Sequence, residues 1–259
     1  DFDPASVKEF ACMSYQSHVF HVIGAGSSLS FPAYNIRDLV LSQPGSGKAV
    51  VCPMNGTDAQ RYSHADANVI LMSNSGNTDE VVSFHKVLEA RQKALLDRPE
   101  SVIAVTANED SILAKAVRNT YILACGPEEA TAATKSVFNQ ALFLQALISP
   151  RDAFNENALC TAASHIETIL NREGPPLDMI HAVADAQHVY LAGPDNGVAA
   201  EAALKFSETF TAAHFIAGGP TSGVHGGQRG MEEDDVVILI DPDRRDMPKI
   251  REVFDRVRG

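Results

Sequence analysis

Three hydroxyl side chains, two asparagines and a glycine are packed into Ser73-Asn74-Ser75-Gly76-Asn77-Thr78. The run follows an apolar stretch, Asn68–Met72, and leads into Thr78–Leu88, where Val81, Phe84 and Leu88 recur at helical spacing. A strand, a tight polar loop and a helix are expected here. The first N–H groups of a helix have no intrahelical partner and carry the positive end of its dipole, so hydroxyls gathered there suit a dianionic phosphate. An ordinary N-cap, with Asn77 or Thr78 capping and Glu80 in the first turn, would satisfy the same donors without a ligand. The hexapeptide alone leaves both readings open.

A second group of reactive side chains is Glu201, Lys205 and Glu208, spaced i, i+4, i+7 and so on one face of a helix. Ala199, Ala203, Phe206 and Phe210 form its apolar face. A carboxylate held beside a substrate carbon can abstract and return a proton. The same pattern is also that of a solvated ion-pair face, with Glu four residues ahead of Lys in the favourable order. His225 is the third candidate. It sits in Gly218–Gly227, a glycine-rich loop able to bring an imidazole close to a ligand, whereas His18, His21 and His188 lie in or beside expected strands and read as structural.

These groups need elements to position them. Strands are expected over His18–Ile23, Ala49–Pro53, Asn68–Met72, Ser101–Thr106 and Thr120–Ala124. Helices are expected over Ser30–Leu41, Thr78–Leu96, Ser111–Val117 and Glu128–Ile148. Such alternation makes a parallel sheet covered on both faces. Ser149-Pro150-Arg151-Asp152 ends this region and divides the chain into residues 1–150 and 151–259. Beyond it come helices over Ala153–Asn171 and Leu177–Ala186. A second strand–turn–helix follows, with His188–Gly197 as strand and turn running into the helix Val198–Phe210. It echoes Val19–Ile23 with Gly24-Ala25-Gly26, at an internal period of about 170 residues. His214–Ala217 and Val236–Ile240 are the next expected strands and Pro248–Val257 the next helix. About two more strands would complete a second sheet of the same kind, so the second domain is expected to be incomplete.

The Ser-x-Ser-Gly-x-Thr loop, and Glu128-x-x-x-Ala132-Ala133-Thr134-Lys135-Ser136 about fifty residues after it, together resemble the sugar isomerase (SIS) superfamily of phosphosugar-binding proteins. Within it, the chain resembles the isomerase module of glucosamine-6-phosphate synthase and stand-alone amino-sugar-phosphate deaminases and isomerases. The resemblance implies an α/β fold class of two three-layer α/β/α SIS domains with parallel sheets. It implies phosphate contacts from Ser28, Ser73, Ser75 and Thr78, with Ser27 the adjacent alternative to Ser28. Asn74 and Gly76 would donate backbone N–H groups, and the segment around Ala132 would line the sugar pocket. Relatives carry a Glu-x-Ala-Leu-Lys-x-x-Glu helix, matched here by Glu201, Ala203, Leu204, Lys205 and Glu208. By that match Glu208 is the base between C1 and C2 of the open-chain sugar, supported by Lys205 and Glu201. His225 would open the sugar ring. Relatives have His-Gly-Pro where this chain has His225-Gly226-Gly227, in a loop that reads one residue longer. In the synthase that histidine comes from the neighbouring subunit, so a homodimer is implied.

The implied reaction is an aldose–ketose shift of an amino-sugar 6-phosphate, with ammonia release preferred because no N-terminal cysteine nucleophile of a glutaminase domain opens the chain. A tagatose- or fructose-type phosphate isomerase, a fructosamine-phosphate deglycase and a non-catalytic sugar-phosphate sensor are the alternatives. No cofactor is expected. Gly24-Ala25-Gly26 lacks the third glycine of a dinucleotide fingerprint, Gln43–Lys48 lacks a P-loop, and no metal-ligand spacing occurs. The net charge of −12 with no Lys/Arg-rich run argues against a nucleic-acid surface. No apolar stretch is long enough to span a membrane. The four scattered cysteines suit reduced thiols in a cytoplasm.

Overall fold

The computed structural model describes residues 4–13, 17–42, 49–126, 128–148, 156–172, 174–210, 214–218, 232, 234–240, 247–248, 251–252 and 255. A 3₁₀ turn, Pro4–Val7, leads into α1 (Lys8–Met13), β1 (Val19–Gly24), α2 (Ser27–Ser30), α3 (Pro32–Ser42), β2 (Val50–Asn55) and α4 (Gly56–Ala59). Then come β3 (Asn68–Met72), α5 (Asp79–Lys93), β4 (Ser101–Thr106), α6 (Ile112–Ala116), β5 (Asn119–Ile122) and α7 (Lys135–Ile148). The second region holds α8 (Glu156–Leu170), α9 (Leu177–Asp185), β6 (His188–Ala192), α10 (Val198–Thr209), β7 (His214–Gly218) and β8 (Val236–Leu239).

The first five strands form one parallel sheet in the order β2-β1-β3-β4-β5. Alternation along β3 shows how the core is divided. Ile70 and Met72 face a cluster with Ile36 and Val40 of α3 and Phe143 and Leu144 of α7. Val69 and Leu71 face the other way, onto Val81, Phe84 and Leu88 of α5 and Leu113 of α6. A strand buried on both faces must be apolar at every position, which is why the Val69–Met72 run shows no alternation. The result is an α/β/α three-layer sandwich.

The second sheet, β7-β6-β8, is also parallel and repeats the order β2-β1-β3. Its core joins Val189 and Leu191 of β6 to Ala199 and Ala203 of α10.

Two expected helices differ. Ser30–Leu41 is broken at Phe31 into α2 and α3, with Pro32 as the first residue of α3, where its missing N–H is harmless. Glu128–Ile148 begins only at Lys135. The Glu128 carboxylate accepts hydrogen bonds from the Thr134 N–H (3.1 Å), the Ser136 N–H (3.0 Å) and the Ser136 hydroxyl (2.9 Å). Glu128 thus serves the helix start from outside instead of continuing the helix. The expected turn Gln43–Lys48, the boundary Ser149–Asp152 and most of Pro248–Val257 lie outside the described residues.

Candidate functional site

In a parallel sheet of order 2-1-3-4-5, the connections leaving β1 and β3 go to opposite faces and leave a crevice at their carboxyl ends. Here β1 and β3 pair directly, Ile23 opposite Leu71. The two Gly/Ser-rich segments picked out in the sequence, Gly24–Ser28 and Ser73–Thr78, are the ones that exit at that switch point.

Within Ser73–Thr78 the buried Ser73 hydroxyl pairs with Thr78 Oγ1 at 2.7 Å and accepts the Gly76 N–H at 3.0 Å. The Gly76 N–H also reaches the Ser73 carbonyl at 3.1 Å. That N–H is therefore used inside the loop, unlike the outward donor expected, and Gly76 contributes shape. Its φ is 65°, and a Cβ would stand 2.1 Å from Ser111 Oγ, so only glycine fits. The Asn74 carbonyl accepts from Ala107 N–H and Thr106 Oγ1, while Asn74 Oδ1 is buried without a partner. Ser75 is exposed, and its hydroxyl accepts the Asn77 N–H at 3.2 Å. Thr78 is the N-cap residue of α5, yet no side chain caps this helix. Asn77 turns its Oδ1 to Ile112 N–H instead, at 2.9 Å. Neither side chain proposed for ordinary capping performs it.

Ser28 lies in α2, just past the β1 exit. Its hydroxyl accepts from Nε2 of Gln140 on α7 at 3.1 Å. Ala132 is half-buried in the loop before α7, which is tethered by Glu128. Burial opposes ionisation of Glu128, but the hydrogen bonds from Ser136 and Thr134 outweigh it and hold the carboxyl below its ordinary value.

The face of α10 is built as its spacing requires. Lys205 Nζ donates to Glu208 Oε2 at 2.8 Å and lies 3.5 Å from Glu201 Oε1. The lysine and Glu201 side chains are only 19% and 13% exposed, so this is no freely solvated face. Burial pushes the Glu201 carboxyl above its usual range, against the opposing pull of Lys205. The Ser27 hydroxyl approaches the same carboxylate, but loosely. Both Glu201 oxygens are shielded from water and neither completes a hydrogen bond of good geometry. Helix α10 thereby faces α2 across the two sheets. Arg37 of α3 fixes the turn before it, donating to the Asp195 carbonyl (2.9 Å) and carboxylate.

The structure thus brings Ser27 and Ser28 together with Glu201, Lys205 and Gln140, and brings Ser73–Thr78 to the adjoining strand end. His225 lies outside the described residues. Gln140 carries no signal in the sequence, since a lone glutamine in an apolar helix has no distinctive spacing; only burial and a partner 112 residues away mark it. Among the described residues no group of three or more His, Cys, Asp or Glu could hold a metal ion, and no helix is long and apolar enough to cross a membrane.

Neither a family model nor a curated protein matches this chain. Solved structures do. Tagatose-6-phosphate ketose/aldose isomerase from Escherichia coli matches with a TM-score of 0.75 at 18% identity, over 98% of this chain and 71% of that one. Glucosamine-6-phosphate deaminase from Thermotoga maritima matches with a TM-score of 0.68 at 19% identity, over 97% and 78%. The C-terminal domain of glucosamine-fructose-6-phosphate aminotransferase from Francisella tularensis gives 0.67 at 15% identity, over 96% and 71%. Such agreement across nearly the whole chain, at identities this low, is agreement of architecture: the chain has the fold that these three structures share.

Proposed function

We propose that this protein is a phosphosugar enzyme that moves a proton between C1 and C2 of an open-chain amino-sugar 6-phosphate and releases ammonia. The observation that carries the reading is the docking of α10, with its Glu201–Lys205–Glu208 face, onto α2 beside the β1/β3 switch point. Chemistry and binding elements from two sheets converge there.

Ser75 and Thr78 hold the phosphate at the uncapped start of α5, on a loop shaped by Ser73, Asn74 and Gly76. Ser28 and the segment around Ala132 contact the sugar. Glu208 takes the C2 proton and returns it to C1, its carboxylate held in place by Lys205. This converts the aldosamine to an imine at C2, from which water releases ammonia and leaves a ketose phosphate. Glu201 supports Lys205. His225 opens the sugar ring, supplied across a homodimer. The setting is a cytoplasmic, phosphosugar-rich pool, and the chemistry needs no cofactor. Similarity to the Thermotoga maritima deaminase supports the ammonia-releasing direction. The higher TM-score of the Escherichia coli ketose/aldose isomerase favours a second reading, the same proton shift on a sugar phosphate without the amine.

Ammonia release and ketose formation, measured together on a panel of amino-sugar and neutral sugar 6-phosphates, separate the two. Glu208→Gln should keep binding but lose exchange of the C2 proton with D₂O. Wild-type protein that binds the sugars yet exchanges no proton is a sensor, not an enzyme.

A further inference from the structure

Gln140 is fully buried on α7, at 0% exposure, yet only half of its amide is satisfied. Nε2 donates to Ser28 Oγ at 3.1 Å, while Oε1 is shielded from water and has no partner. A buried amide with an orphaned carbonyl is a poor choice for a core position, where leucine would leave nothing unpaired. The neighbours on this helix, Phe143, Leu144 and Leu147, are apolar core residues. Something other than packing is served by an amide at this place.

The partner shows what that is. Ser28 stands in a short helix at the exit of β1, in the loop that flanks the switch-point crevice. A serine hydroxyl has one proton and two lone pairs, and it turns to suit its surroundings. When an amide N–H occupies a lone pair, the hydroxyl proton is left to point elsewhere. The opposite amide orientation would instead strand an NH₂ group with two donors in the core, which costs more than one orphaned acceptor.

We infer that Gln140 is a positioning residue that fixes Ser28 as a hydrogen-bond donor to an oxygen of the bound sugar phosphate. The inference rests on the phosphosugar reading above. Gln140 acts only through Ser28, and its own oxygen needs no ligand contact for this. Its effect is to spare the ligand the reorientation of a free hydroxyl, so affinity falls when it is lost even though no ligand contact has been removed.

A double-mutant cycle tests this, with glucosamine 6-phosphate and tagatose 6-phosphate as calorimetric probes. Gln140→Leu should weaken the better-bound sugar about three- to tenfold, the share of one hydrogen bond, and Ser28→Ala should weaken it at least as much. In the Ser28→Ala background Gln140→Leu should have no further effect. Thermal stability should hold or rise, since the orphaned carbonyl is gone. Gln140→Met, unbranched and of similar length, stands in if the leucine does not fit. Equal weakening in both backgrounds, or none in either, overturns the inference while leaving the phosphosugar reading intact. Wild-type protein that binds neither sugar overturns that reading, and the inference with it.

Discussion

Gly197 and Ser30 meet with no room for a side chain between them. A Cβ on Gly197 would stand 2.0 Å from the Ser30 carbonyl oxygen, and Gly197 adopts φ 85°. The contact joins the N-cap of α10 to the end of α2. It sets how far the Glu201–Lys205–Glu208 face stands from Ser27 and Ser28, and therefore how the two sheets would share the proposed site.

Gly197→Ala should break this junction. The left-handed conformation alone is strained by about 1–3 kcal/mol for a residue with a Cβ, and the clash is with backbone, which cannot swing aside. Denaturant unfolding should show the loss. Turnover should fall about a hundredfold, the scale on which small misplacements of a catalytic group are felt. An alanine variant with unchanged stability and turnover would mean that the two sheets need not be held this closely.

Changing Ser75 and Thr78 together to alanine removes two hydroxyls from the start of α5, which has no side-chain cap to lose. At roughly 1.5–3 kcal/mol for each contact to a charged group, sugar-phosphate affinity should drop by well over tenfold. The melting temperature should fall only slightly, through the lost Ser73–Thr78 pair and the lost Asn77 N–H bond to Ser75. Calorimetry showing unchanged affinity with a marked fall in stability would make the loop purely structural.

Glu201 gives a pH signature. Its folded-state pKa is raised by burial, so the folded protein binds more protons than the unfolded chain once pH exceeds the ordinary carboxyl value. Stability tied to this group is complete below that value and is lost as pH rises through the folded pKa. Glu201→Gln should therefore melt higher than wild type at pH 7–8, with the gap closing toward about pH 4. A variant less stable than wild type at neutral pH would show that Lys205 repays the burial of this carboxylate.

The opposite slope comes from His21. Its Nδ1 lies 2.8 Å from Nδ1 of His64, whose Nε2 meets the Ala59 carbonyl at 2.9 Å. A carbonyl only accepts, so His64 carries its proton on Nε2 and receives one from His21. Burial, reinforced by His64, lowers the His21 pKa from 6.5 to about 4. The unfolded chain binds the extra proton between those values, so stability is lost as pH falls from 6.5 toward 4. His21→Asn places an amide N–H where Nδ1 donates to His64 but cannot titrate, and its melting temperature should decline less over that interval. NMR titration of His21 with a midpoint near its ordinary value would refute the assignment.

Much of the first sheet was readable because short-range chemistry dictates it. Asn68–Met72, its polar loop and the helix beyond are recognisable from an apolar run, a glycine and helical spacing, all within about twenty residues. The Glu201–Lys205–Glu208 face is fixed by 3.6-residue periodicity as soon as α10 forms. The start of α7 departs from its local signal for a reason of the opposite kind. Glu128, Glu129 and Ala130 favour helix locally, but the Glu128 carboxylate is drawn back to the N–H groups of Thr134 and Ser136. The absence of a side-chain cap on α5 is likewise a tertiary outcome, since Thr78 turns to Ser73 and Asn77 to Ile112. Strand order pairs segments that are not neighbours in sequence, and the contacts Ser28–Gln140, Arg37–Asp195 and Gly197–Ser30 join residues more than a hundred positions apart. Periodicity reports which face of an element seeks burial. It carries no information on which distant element will meet that face, and burial of both together is what decides it.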